Sequence, residues 1–195
     1  MEAVGYDLYC RMLEEAIRYE QGVRTVTAYS SSVDLDVGAF IPAEYIVNES
    51  QKLDMYKRIA SIESEEDISD MMDEMRDRFG SVPVQARYLL RVALIKSRAT
   101  KLYIDEVRGR AGRIRLVMNP KAPVKVEKIP FLLNEYGGEL RLNTKGNPEF
   151  VLLYQIVGLV EKDEELLLEK MEELLGNMAM LYETEKPSED DDNEL

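Results

Sequence analysis

The sequence has no histidine, no tryptophan and a single cysteine in 195 residues. Without histidine there is no imidazole base, no Ser-His-Asp or Cys-His machinery and no His-ligated zinc. The lone thiol, Cys10, sits among residues of helical apolar spacing and has no second cysteine to pair with. One cysteine, and no apolar leader after Met1, is the pattern expected of a reducing, cytoplasmic setting. A phosphate-cradling loop is also missing, because the GRAG of residues 109–112 is not followed by Lys-Ser/Thr and reads as a hairpin connection. No apolar run approaches the roughly 20 residues that cross a bilayer, so no membrane partner is expected. Among 38 acidic residues, carboxylate pairs at helical spacing arise by chance and assign no acid–base chemistry. No catalytic site, cofactor or metal is therefore expected, although acid–base work by an Asp/Glu pair stays formally open.

What is present is charge, unevenly spread. The net charge is −13, which disfavours nucleic-acid binding by the chain as a whole. Yet residues 76–128 hold fourteen Lys/Arg against four Asp/Glu. Such polarity implies that the basic middle meets something acidic, inside the molecule or outside it. The last residues, 184–195, are acidic without aromatics and read as a disordered tail.

The chain is organised around residues 64–101. Ser64 is an N-cap, with Glu65, Glu66 and Asp67 in the first turn where carboxylates oppose the helix dipole. Ile68, Met71, Met72, Met75 and Phe79 then recur at helical spacing, and the methionines read as core more readily than as an adaptable binding surface. Gly80 is placed to end the helix in a left-handed conformation, and Pro83 to open the next one at its first position. In that second helix Ala86, Leu89, Leu90, Ala93, Leu94 and Ser97 are spaced to pack back on the first. The outer face of the first helix carries Asp67, Asp70, Glu74 and Asp77 with Arg78 beside them. An acidic stripe is most often a solvated face; the sharper reading is a docking face for a basic surface.

Before the hairpin, residues 3–21 read as an amphipathic helix with Tyr6, Tyr9, Cys10, Leu13 and Ile17 in one stripe. That helix starts without a cap, as expected of a piece of a longer protein, and residues 23–32 read as a linker. Residues 33–37 alternate as a half-buried strand. Asn48 caps a helix expected to reach Ile62, with Leu53, Tyr56, Ile59, Ala60 and Ile62 inward. After Lys101 the period changes to two strands, 102–107 and 113–118, joined through Gly109–Gly112. A short helix interrupted by Pro130 follows, then strands at 139–142 and 149–154, and a closing helix over 163–182 with Leu166, Leu167, Met171, Leu174, Leu175 and Met178 inward. The expected fold class is α+β: helices and a helical hairpin, then a small, mainly antiparallel sheet with a closing helix.

Residues 53–60 (LDMYKRIA) followed by residues 75–83 (MRDRFGSVP) resemble the signature of the C-terminal domain of bacterial transcription-repair coupling factors. Residues 2–10 (EAVGYDLYC) are similar to the helix that ends the motor part of those proteins. The resemblance implies four segments: 1–22 as the terminal helix of a motor module, 23–32 as linker, 33–183 as the C-terminal regulatory domain and 184–195 as tail. It implies that the full-length protein is an ATP-driven DNA translocase of nucleotide excision repair that acts on stalled RNA polymerase and recruits UvrA. The domain itself would be non-catalytic, packing on the N-terminal UvrA-like module of the same protein to mask the UvrA-binding surface and restrain the motor. Carried over by position, the docking residues are Glu74, Asp77 and Arg78, to which the acidic stripe adds Asp70 and Asp67. Reversing Glu74 and Asp77 is then expected to abolish docking without unfolding the domain.

A second candidate site lies in the basic middle. Arg108, Arg110, Arg113 and Arg115 surround the expected turn and would suit DNA phosphates. Tyr103 is the only aromatic residue near them in sequence, so no stacking platform is visible. Neutralisation of the chain's own acids is the plainer reading, and DNA contact is not favoured.

Overall fold

A computed structural model describes residues 29–182. The opening helix, the 1–22 segment, most of the linker and the 184–195 tail lie outside the described residues. Helix α1 (Glu49–Ile59) starts at Asn48, whose side chain accepts from the Gln51 N–H at 3.0 Å. It is shorter than expected and its inward stripe is rotated: Met55, Tyr56 and Ile59 are buried, whereas Leu53 and Ala60 are exposed. The chain leaves the helix at Ala60 through tight bonds from Ser61 to Arg58 and Ile62 to Ile59, so Ile62 is buried from outside the helix.

Helix α2 (Glu65–Phe79) opens with a reciprocal cap. Ser64 Oγ accepts from the Asp67 N–H while the Asp67 carboxylate accepts from the Ser64 and Glu63 N–H groups. Met71 and Met75 are buried, with Ile68, Met72 and Phe79 packed at the margin. Gly80 has φ +86 but ψ −157, so it is extended rather than left-handed helical. Only glycine adopts that region readily. The Tyr45 hydroxyl fixes the corner by bridging the Met75 and Gly80 carbonyls at 3.0 and 3.1 Å.

Helix α3 (Val84–Lys101) starts one residue later than expected, with Pro83 extended in the capping position. The expected inward face was too narrow. Tyr88, Val92, Ile95 and Ala99 are buried as well, because α3 contacts α1, α2, the sheet and the closing helix on different sides. At its C-terminal end Tyr103 has φ +53, a conformation costly for a side-chain-bearing residue. Its ring is stacked between Tyr29 and Tyr182, at 5.9 and 6.5 Å between centroids, which offsets that cost. These partners are invisible in sequence, lying 74 residues before and 79 residues after Tyr103.

The sheet holds β1 (Ser32–Leu35), β2 (Ile104–Arg110), β3 (Arg113–Met118), β4 (Leu140–Asn143) and β5 (Glu149–Leu153) in the order β1-β2-β3-β5-β4. All neighbours are antiparallel except β1, which runs parallel to β2. The last residues of the expected linker belong to the folded unit: Ser32 opens β1, and buried Ser31 donates its hydroxyl to the Ile104 carbonyl. Pro130 does not interrupt a helix but sits in the first turn of α4 (Ile129–Glu135), where no N–H is required. Helix α5 (Val160–Met178) starts earlier than expected, with Leu168 buried and Leu166 half-buried. The Arg91 guanidinium ties α3 to α5 through the Glu172 and Glu165 carboxylates. The fold class is α+β, as expected.

Strand β2 is longer than its pattern suggested, leaving only Ala111 and Gly112 as the turn. Gly109 is thus a strand residue facing the core. A Cβ there would lie 2.6 Å from Leu35 Cδ2 and 2.9 Å from Leu167 Cδ1. Gly109→Val should therefore lower stability by about 1–3 kcal/mol through overpacking. A lower urea midpoint at unchanged m would show it; an unchanged midpoint would mean that β1 and α5 yield freely.

Candidate docking face on the helical hairpin

The exposed side of α2 is set by its caps and by one ion-pair knot. Both terminal nitrogens of Arg58, from α1, bind the two oxygens of the Glu74 carboxylate. Arg78, one turn further along α2, adds a third bond to Glu74 at 2.7 Å. Arg58 and then Arg78 hold the Glu74 carboxyl down at about 2, against an ordinary 4.5. The Arg78 guanidinium lies 4.9 Å from the Phe79 ring centroid and approaches Met55 Sδ, so it is oriented as well as paired. Glu74 thereby joins α1 to α2 and sets the direction of Arg78.

The other candidates differ in kind. Asp67 is committed to the cap, and the Glu63 N–H it accepts, with the Ser64 side chain, lowers its carboxyl below the usual range. Asp70 and Asp77 are exposed and have no hydrogen bond or ion pair among the described residues. A cleft of about 210 Å³ opens beside Asp70, lined also by Arg58, Ser61, Ile62, Asp67, Met71 and Glu74. Five residues on one stripe in sequence are thus three that serve the fold and two that are unengaged. Arg58 was missed: a pair 16 residues apart leaves no periodic signal.

The basic middle is largely answered inside the molecule. Arg98 pairs with Glu65 at 2.7 Å and Lys101 with Glu63 at 2.9 Å. On the sheet Arg108 pairs with Glu106, Arg110 with Asp34 at 2.8 Å, and Arg115 with Glu149 and Glu106 at 2.6 and 3.3 Å. Arg113 alone of the four candidate arginines has no ion pair among the described residues. No helix among the described residues is long and apolar enough to cross a membrane.

Comparison with known proteins adds the family context. The model of the TRCF domain matches residues 35–129. The transcription-repair-coupling factor of Bacillus subtilis is 34% identical over 149 residues, covering 75% of this chain and 13% of that protein. That of Staphylococcus epidermidis is 35% identical over 124 residues, covering 63% of this chain and 11% of that protein. The chain therefore spans a small part of the length of these curated relatives. A crystal structure of the C-terminal domain of transcription-repair coupling factor superposes with a TM-score of 0.56 at 26% identity, covering 80% of this chain and 98% of that one.

The knot at Glu74 makes stability depend on acid. Its carboxyl is lowered on folding, so its contribution is complete above about pH 4.5 and is lost as pH falls towards about 2. Glu74→Gln should cost about 1–3 kcal/mol at neutral pH. The gap to the parent should close over that acid range in urea titrations. A gap independent of pH would show that the charge does not hold the knot.

Proposed function

The chain belongs to the transcription-repair-coupling-factor family, whose C-terminal domain it carries, and we propose that residues 33–183 are a non-catalytic regulatory domain that docks through α2 onto a basic module of the same protein. In this reading the partner is the N-terminal UvrA-like module. Docking masks the surface that would bind UvrA and restrains an ATP-driven DNA translocase motor, whose last helix is residues 1–22; residues 23–28 serve as the linker, residues 29–32 join the folded domain, and 184–195 serve as an acidic tail. UvrA and RNA polymerase enter only through the full-length protein.

One observation carries the reading: Asp70 and Asp77 lie two turns apart on one line of α2, exposed and unengaged, beside an Arg78 already oriented by Glu74 and Phe79. Such a face offers carboxylates to basic side chains with little ordering left to do. Each partly exposed pair would contribute roughly 0.2–1 kcal/mol. A contact of that kind can be undone when the motor engages DNA or polymerase. The internal ion pairs of Arg108, Arg110 and Arg115 weigh against DNA contact as the main role.

Because Glu74 serves the hairpin, its reversal confounds docking with folding, and Asp70→Lys with Asp77→Lys is the cleaner probe. Asp77 lies in the last turn of α2, where a cation suits the helix dipole, so the double variant should keep its melting temperature within a few degrees. Calorimetry against the separately produced UvrA-like module should show micromolar binding by the parent chain. The double variant should bind at least about tenfold more weakly, a change of about 1.4 kcal/mol. Equal affinity for parent and variant would reduce the face to a solvated one.

A further inference from the structure

The strand register reveals a surface on the sheet, apart from the docking face on α2. Asp34, Arg108, Arg115, Val151 and Arg141 stand in one row across all five strands. In the next row Arg110 faces Arg113, and Arg113 faces Leu153. The intervening Val107, Gly109, Ile114, Leu116, Phe150 and Leu152 are buried, which puts both rows on the opposite, outward face. Two pairs of like charges are therefore directly opposed, Arg108 with Arg115 and Arg110 with Arg113, an arrangement that destabilises a sheet. Neighbouring carboxylates answer Arg108, Arg110 and Arg115. Arg113 and Arg141 are exposed with no ion pair among the described residues.

An aliphatic ledge continues this cationic field. Leu153 is 42% exposed, Ile156 49% and Val157 58%. A Cβ placed at Gly112 would lie 3.4 Å from Ile156 Cγ2, so the ledge runs along the β2–β3 turn beside Arg110 and Arg113. Phosphates would use the arginines but not the aliphatic groups, and the stacked tyrosines are at the other end of β2. The chain's own 183–195 sequence is acidic but holds no aliphatic or aromatic residue before Leu195, so its composition matches the arginines and not the ledge.

We propose that the outward face of the sheet around Arg113 and Leu153 binds an acidic, amphipathic peptide segment of a partner protein. Its carboxylates pair with Arg113 and Arg141, and its aliphatic side chains cover Leu153, Ile156 and Val157. The surface is separate from α2, so it stands or falls apart from the docking reading.

The test uses the full chain and a synthetic peptide alternating glutamate and leucine, with one tryptophan. The chain has no tryptophan, so indole fluorescence reports the probe alone. Binding is expected at low salt, weakened at least about tenfold by Arg113→Glu and by Leu153→Ser. A peptide of the 183–195 sequence and a short DNA duplex, both labelled, should bind at least about tenfold more weakly than the amphipathic probe. Arg113→Glu should not lower the thermal midpoint, since it removes a like-charge pair with Arg110. Absence of probe binding, or undiminished binding by both variants, overturns the proposal. Tighter binding of the duplex, lost in Arg113→Glu, would assign the face to nucleic acid instead; equal binding of the tail sequence would assign it to the tail. If Arg113→Glu lowers the midpoint, Leu153→Ser at the parent's midpoint must show the loss by itself, and undiminished binding there overturns the proposal.

Discussion

Helix α3 has almost no solvent-facing side, and the rest of the fold is arranged to keep it so. Ala86, Leu89, Leu90, Ile95 and Ala99 are fully buried, with Tyr88, Val92, Ala93 and Leu94 nearly so. Each fully buried large aliphatic side chain stabilises the fold by about 1.5–3 kcal/mol relative to exposure. No single neighbour can cover a helix on all sides. The hairpin partner α2, the preceding α1, strands β1 and β2, and the closing α5 each cover a different sector. Strand β1, paired in parallel with β2, lies where α3 meets the sheet.

Charge is distributed around that core in complementary blocks. The basic surplus of the middle of the chain is met by acidic residues from before and after it: Glu63 ahead of α2 and Glu65 in its first turn, Asp34 on β1, Glu165 and Glu172 on α5. An acid-rich chain can therefore hold a basic central segment without presenting a wholly basic surface. Not every charge is answered in this way. Carboxylates of Asp70 and Asp77 remain on α2, and the guanidiniums of Arg113 and Arg141 remain on the outward sheet face. Those two sets lie on different elements, which lets one small domain carry two surfaces of opposite sign.

The two motifs behind the family resemblance meet at a physical contact. Arg58, in LDMYKRIA, grips Glu74 just ahead of MRDRFGSVP, and Arg78 within the second motif completes the knot. The knot fixes the angle between α1 and α2 and leaves Arg78 presented on the surface. Residues that look like an interaction signature thus include some whose first task is to hold the surface in shape. The separation matters for mutagenesis, because Glu74 and Asp77 belong to the same stripe yet differ in what they touch.

By itself the sequence determined the local features: the Ser64 and Asn48 caps, the helical period through Met71 and Met75, the strand alternation around β3 and β5, and the absence of histidine chemistry. Each depends on neighbours within about four residues, so spacing alone carries it. The tertiary structure decided what depends on distant partners. Burial of α3 on all sides, the tyrosine stack that fixes Tyr103, the space that only Gly109 fits, and the pairing of Arg58 with Glu74 have no periodic trace. The candidate site divides along the same line. Its stripe on α2 was legible, whereas which of its carboxylates are engaged was not, because ion-pair partners come from other elements brought near by the core.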